Sequence, residues 1–349
     1  MHRFNLNVRT SLTLALICLL LSGCASVVRN PLPEELHEDV TVLGRDDFRY
    51  WGDSPHVTAF PGVTSRAQLE ERYAGIMDRE HHYLVISGGG ANGAYGAGVM
   101  KAWTALGTRP EFTIVTGVST GALIAPFAFL GSDYDDELET FYTTLDTEKL
   151  IDTRSFFALF GADSIVDTTP LKRVLEQAID DDMIAAIARE HEKGSILAVG
   201  TTHMDAGRST VWNVTRIAAS GHPEAPRLVR EVLLASASIQ GAFPPVYIEV
   251  EARDGNTYDE MHGDGGGSSQ MFFYPAGADW DRVTELLRVQ GEPTIWVIRN
   301  AFLHPQYETV EPRLLNIAGR TIGSLTRTQG IGDFFRIWTL ARPDGLKLE

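Results

Sequence analysis

The stretch YLVISGGGANGAYGAGVM, residues 83–100, decides how this chain is read. An apolar run from Tyr83 feeds into Gly88, Gly89 and Gly90, and small residues at helical spacing follow. A strand that turns through bare glycines into a helix presents backbone N–H groups with no side chain in the way. It is built to hold negative charge. Two anions fit: a nucleotide phosphate, or the transient oxyanion of an ester under attack. Gly88 to Gly93 satisfies the G-x-G-x-x-G pattern of a dinucleotide site. Such a site also wants an acidic residue about 20 positions on, at the end of a second strand. Glu111 is near that distance but begins its strand.

That second strand, EFTIVTG, ends in something else. Gly117-Val118-Ser119-Thr120-Gly121 is a G-x-S-x-G, followed by the apolar helix pattern TGALIAPFAFLG. Between a strand and a helix this pattern makes a tight elbow that exposes the Ser hydroxyl at the carboxyl edge of a sheet. A serine nucleophile beside a cradle of amides favours the oxyanion. Ser119 then needs a proton acceptor. His262 and His304 would serve in the order Ser, Asp, His of a triad hydrolase. The alternative is Asp264 in HGDGGG, residues 262–267.

Outward from these loops the pattern alternates. TSRAQLEERYAGIMDRE (64–80) reads as a helix, YLVIS as a strand, GAYGAGVMKAWTALG as a helix, and residues 134–192 as helical, with a start at Asp167–Pro170. SILAVGTTHM (195–204) and STVWNVT (209–215) read as strands, and RLVREVLLASAS as a helix. PVYIEVEARDGNTYDEM reads as a hairpin turning at Asp254-Gly255, TIWVIRN as a late strand, and two helical stretches close the chain. Short apolar runs alternating with helices imply a parallel sheet covered on both faces. Residues 61–349 form one domain on this reading. The acid-rich segment 134–165, with its SFFALF patch, is a candidate lid.

The N-terminus has a different character. Arg3 and Arg9 precede the apolar run SLTLALICLLL, too short for a permanent span but suited to a secretory signal. The run stops at Leu21-Ser22-Gly23-Cys24, which resembles the bacterial lipobox. Residues 1–23 then form a signal peptide, Cys24 takes the lipid, and 24–60 form a tether that becomes ordered as it meets the body. Ala25 resembles the sorting residue of outer-membrane lipoproteins, which implies an envelope location facing the periplasm. The remaining cysteine, Cys18, lies inside the signal, so the mature chain has no partner for a disulfide. A net charge of −16 excludes nucleic acid as partner and gives anionic lipid no overall attraction. Membrane residence is expected from the anchor.

Together SGGGANGAYGAG, TGVSTGA and HGDGGG resemble the three signature blocks of patatin-like phospholipases, and ASASIQGAFPPV (235–246) resembles the segment before the third block. The resemblance covers about residues 80–270. It implies a three-layer α/β/α fold with a mostly parallel central sheet, related to the α/β-hydrolases, and a Ser-Asp dyad without histidine. Ser119 is then the nucleophile and Asp264 the base. Gly88, Gly89 and Gly90 form the oxyanion hole, supported by Gly93, Gly117, Gly121, Gly265 and Gly266. The implied activity is lipid acyl hydrolysis through an acyl-enzyme, on a membrane lipid or other acyl ester, with no cofactor or metal. The sequence departs from the family at Asn92, where many members carry Arg or Lys, and at Gln240, often Pro.

Overall fold

A computed structural model describes residues 29–55, 60, 62–144, 169–275 and 277–349. The signal segment with Cys24 and the larger part of the candidate lid lie outside the described residues. Strand β3, Glu80–Ile86, shows why the chain layers as it does. Its side chains alternate between faces. Leu84 and Ile86 join one buried cluster with Met100, Ile124, Phe127 and Leu233. Tyr83 and Val85 join a second with Phe273, Trp280, Ile295 and Ile337. A strand apolar on both faces must be covered on both, and the chain is a three-layer α/β/α sandwich.

Ten strands form one mixed sheet. Its centre is parallel: β9 (Gln290–Ile298), β3, β4 (Ile114–Val118) and β5 (Ile196–His203) lie side by side. The flank is antiparallel and includes β6 (Arg208–Asn213) and the hairpin β7 (Val246–Ala252) with β8 (Thr257–Asp264). One junction matters most. One edge of β5 is taken by β6 along its length. The other edge is shared, with β4 ending opposite it at Val118↔Gly200 and β8 arriving from the opposite direction at Thr201↔Asp264. The carboxyl ends of β4 and β8 therefore meet head-on at the middle of β5.

The first layer holds α2 (Gly93–Ala105), α3 (Thr120–Leu130), α6 (Asp181–Lys193) and α8 (Ala225–Ser236), whereas the short α1 (Arg66–Arg72), which precedes them in the chain, packs Leu69 into the second cluster. Thr120 to Phe129 of α3 are buried on every side, as a helix apolar all round demands. Also on this side are α4 (Asp135–Thr144), α5 (Thr169–Ala178) and α7 (Val214–Ala218). The opposite layer holds α9 (Trp280–Leu287) and the end of α10 (Leu314–Ala341), with β10 (Lys347–Leu348) pairing β9 at the edge.

The mostly parallel sheet expected from the resemblance is present, with the hairpin returning strands antiparallel to β5. Two expectations are corrected here. The helix expected over 64–80 is α1 followed by a 3-10 turn at Ala74–Ile76, and β3 already begins at Glu80. The two closing helical stretches are one 28-residue helix, α10, whose Gly319, Gly323 and Gly330 do not break it.

Part of the segment assigned to the tether contributes to the sheet. β1 (Val40–Thr41) pairs with β7, and β2 (Arg49–Trp51) pairs with β6. Val42 and Phe48 are buried in the first cluster. Arg49 grips Glu260 of β8 through both guanidinium branches, one at 2.8 Å, and Glu260 is fully buried. Burial alone would raise the Glu260 carboxyl, but Arg49, with His203 and His262, holds it below its ordinary value. Truncating Phe48 tests whether this segment belongs to the cooperative unit. Phe48→Ala should cost about 3–5 kcal/mol of stability, read as a lower urea midpoint; an unchanged midpoint would place β1 and β2 outside it.

Candidate active site

The head-on meeting of β4 and β8 places Ser119, the residue after β4, against Asp264, the last residue of β8. Ser119 Oγ donates to Asp264 Oδ2 at 2.5 Å. Ser119 and Asp264 are only 6% and 5% exposed, so the bond is largely dry. Ser119 sits at φ 56°, ψ −127°, the left-handed half of φ space that a side-chain-bearing residue occupies at a cost of about 1–3 kcal/mol. The neighbours over-determine it. Its N–H donates to Ser236 Oγ at 2.9 Å, and Ser236 in turn donates to the Gly200 carbonyl at 2.7 Å. A Cβ on Gly117 would lie 2.5 Å from the Gly121 carbonyl oxygen, and one on Gly121 would collide with the Ile86 carbonyl. The elbow closes only because both positions lack side chains.

Asp264 is held just as firmly. Its N–H donates to the Ser238 carbonyl at 2.8 Å, and its own carbonyl accepts from Thr202 Oγ1 at 2.8 Å and Gln240 Nε2 at 2.7 Å. Oδ1 accepts the Gly266 N–H at 2.7 Å, which makes Asp264 the cap of the 3-10 turn Gly265–Gly267. Gly265 packs so closely on the Gly200 carbonyl that a Cβ would strike it. Desolvation pushes the Asp264 carboxyl up to about 6, against the opposing hydrogen bonds from Ser119 and Gly266.

The glycine loop follows β3 at the same edge. The Gly88 N–H donates to the Gln270 carbonyl at 3.1 Å, so this amide, expected to face an oxyanion, already has a partner. Among the described residues no protein acceptor takes the N–H of Gly89 or Gly90. Gly89 is extended at φ 167°, and a Cβ there would strike the Asn300 carbonyl. Gly90, at φ 57°, has open space around it. Gly93 begins α2 against Thr120 and Tyr142 with no room for a side chain. Asn92 is exposed and makes no side-chain cap to α2.

Neither candidate histidine is bonded to Ser119. The His262 ring is fully buried, with Nδ1 3.0 Å from Thr201 Oγ1 and Nε2 3.2 Å from Glu260 Oε2. Burial, only partly opposed by Glu260, pushes its pKa down to about 4. His304 lies exposed in the segment after β9.

Sequence reasoning did not single out Ser236, Gln270 or Asn300. Ser236 and Ser238 lie in the small-residue run ASAS, at the end of α8 and just beyond it, and the alternation was their one available signal. Gln240, a departure from the family pattern, supplies a clamp on Asp264 instead of a loop defect. Gln270 links the two loops, its carbonyl holding Gly88 and its Nε2 donating to the Gly266 carbonyl at 2.8 Å.

Among curated protein sequences none matches. Among solved structures, VipD from Legionella pneumophila is similar with a TM-score of 0.34 and 14% identity, covering 69% of this chain and 52% of that one. This chain thus spans about half the length of VipD, and a likeness so slight adds nothing to the fold. The sequence profile described as patatin-like phospholipase matches residues 84–276, more than half of the chain and every loop just described. The chain belongs to the patatin-like phospholipase family.

Proposed function

We propose that this chain is a lipid acyl hydrolase that cleaves carboxylic esters with Ser119 as nucleophile and Asp264 as its base. The observation that carries the reading is the 2.5 Å bond between Ser119 Oγ and Asp264 Oδ2 at the buried end of two converging strands. In the reaction, Oγ attacks the acyl carbonyl carbon while its proton passes to Oδ2. The carbonyl π pair moves onto oxygen, and the Gly89 and Gly90 N–H groups receive that charge. Collapse expels the alcohol with the proton from Asp264 and leaves an acyl-serine. Water then attacks the acyl-serine as Asp264 again takes the proton, and collapse breaks the Oγ–acyl bond, returns that proton to Ser119 Oγ and releases the carboxylic acid. Two amides without a protein acceptor among the described residues act as preorganised donors, each worth about 2.7–4 kcal/mol in comparable holes. The Gly88 amide supports the loop from behind instead of facing the substrate.

The lipobox resemblance supports a second part of the reading. Cys24 carries an acyl anchor, and the enzyme works from the periplasmic face of an outer membrane. Cys24→Ser should leave the precursor unprocessed, read as a slower-migrating band and loss of palmitate labelling; normal maturation would count against the anchor.

The dyad is tested by substitution. Ser119→Ala and Asp264→Asn should each lower kcat on a soluble p-nitrophenyl ester by about 10²-fold or more, while His304→Ala leaves it unchanged. An Asp264→Asn enzyme keeping a tenth of the activity would remove Asp264 from the role of base.

The raised carboxyl makes a separate prediction about pH. Activity needs the ionised form, so kcat/KM should rise through pH about 6 and fall off below it. Stability runs the other way. The native state holds this proton up to pH about 6, whereas the unfolded chain releases it near 4. The Asp264 contribution is therefore fully present below pH ~4 and lost as pH rises through ~6, by ~3 kcal/mol. Asp264→Asn should unfold at a higher temperature than the parent at pH 8 and at the same temperature at pH 4. Equal melting at both values would mean the carboxyl is not desolvated.

A further inference from the structure

The closing helix divides into two halves of opposite character. From Gly330 onward α10 rests on the body, with Ile337 and Ala341 buried in the second cluster. The half before it stands clear. Leu314 is 82% exposed, Ile317 51%, Ile322 63% and Leu325 65%. At 1.5 Å per residue the exposed part is roughly 20 Å long. Leu314, Ile317, Ala318, Ile322 and Leu325 occupy positions i, i+3, i+4, i+8 and i+11 and share one face. Arg313, Arg320 and Arg327 recur every seventh residue along one side of it. Two of these arginines brace the helix against the preceding segment: Arg320 donates to the Gln306 carbonyl, and Arg327 to the Leu303 carbonyl at 3.3 Å. That segment is itself apolar and open, with Phe302 at 64% and Tyr307 at 95% exposure.

The position of this surface is fixed by contacts with the active site. Asp333 Oδ2 accepts the Gln270 N–H at 2.6 Å, and Gln329 Oε1 accepts from Gln270 Nε2 at 3.2 Å. Gln270 is the residue whose carbonyl holds Gly88. Asn300, at the base of the open segment, abuts Gly89 and donates its N–H to Ser87 Oγ at 2.9 Å. The exposed apolar face therefore begins beside the glycine loop.

We propose that the first half of α10 and the segment 302–307 dock onto an anionic lipid surface, with the apolar face in the acyl boundary. A helix apolar along one face binds in the interfacial mode, and among the described residues no helix is long and apolar enough to cross a membrane. The charge pattern selects a membrane as the occupant. In a chain of net charge −16, no acid occurs between Glu311 and Asp333, and three arginines line one side of the apolar face, Arg313 pairing with Glu311 at 3.3 Å and Arg320 with Glu308 at 3.7 Å through exposed side chains. Basic side chains bordering an apolar stripe match phosphate headgroups above acyl chains. The proposal goes beyond the acyl-hydrolase reading and uses it only for where the surface lies. Binding is measured without turnover.

The test uses the mature chain, residues 24–349 with Cys24→Ser, so that neither the apolar signal segment nor an acyl anchor contributes, and vesicles of phosphatidylethanolamine with phosphatidylglycerol. The parent should float with these vesicles, less with phosphatidylcholine alone. Ile317→Glu, Ile322→Glu and Leu325→Glu together should weaken flotation at least about tenfold and leave p-nitrophenyl ester turnover unchanged. A separate Leu325→Trp chain should show a blue-shifted emission on adding vesicles. The proposal is overturned if the parent does not float, if the triple variant floats equally, or if the emission of the Leu325→Trp chain does not move. Sedimentation showing a parent dimer that the triple variant dissociates, with flotation unaltered, would assign the face to a second copy instead. Failure of ester hydrolysis in the parent, with flotation intact, would sink the enzymatic reading alone.

Discussion

Two strands running toward each other along one edge of β5 are the constraint from which the site follows. β4 is parallel to β5 and β8 antiparallel, so their carboxyl ends face one another across the Gly200–Thr201 bond. A residue leaving β4 and a residue ending β8 must then be neighbours, although they are 145 positions apart in the chain. The sheet register alone brings Ser119 to Asp264. Everything nearby serves to keep that junction closed. Ser236 ties the Ser119 N–H to the Gly200 carbonyl, and Thr202 and Gln240 hold the Asp264 carbonyl. A shift of one residue between β5 and β8 would turn Asp264 to the other face of the sheet.

The same closure explains how a carboxylate could take the part that imidazole plays elsewhere. An aspartate of ordinary pKa near 4 is too weak a base for a hydroxyl. Burial raises it to about 6, and it does so although both carboxyl oxygens accept hydrogen bonds that favour the anion. Desolvation outweighs the two bonds. On the proposed reading, proton transfer from Ser119 would remain uphill, and the remaining demand would fall on the groups that receive the developing oxyanion. Gly89 and Gly90 are the amides that lack a protein acceptor among the described residues. The imidazole nearest in sequence, His262, is withdrawn into an interaction with Glu260 and Thr201.

The central strands, the elbow and the hairpin were legible because each has a local signal: an apolar run, a glycine pair around serine, an Asp-Gly turn. Asp264 was legible as a motif, but its burial was not, since a carboxylate before three glycines reads equally well as an exposed turn. What decides the matter is the pairing Thr201↔Asp264, a long-range fact with no trace in either segment alone. The partner of the Gly88 amide was hidden for a related reason. Three glycines in a row look equivalent, and only the Gln270 carbonyl, 182 positions away, distinguishes the first from the others. The contribution of residues 40–51 was hidden because two- and three-residue strands are too short to show a period.

Charge distribution is a further property that composition conceals. The chain as a whole is acidic, and on that ground a lipid surface offers it no attraction. A field is felt over about a Debye length, ~8 Å at physiological salt, and not over a whole molecule. What a membrane would meet is the nearest segment. On the proposed reading that is the apolar stripe with Arg313, Arg320 and Arg327 along one side of it, Glu311 and Glu308 pairing with the first two, while the carboxylates of α4 belong to the sandwich's other layer. An anchor at Cys24 would hold the enzyme near the bilayer without orienting it, because a tether fixes distance and not direction. A helix lying in the interface beside the glycine loop would supply the direction and turn the catalytic edge toward the lipid that it is proposed to cut.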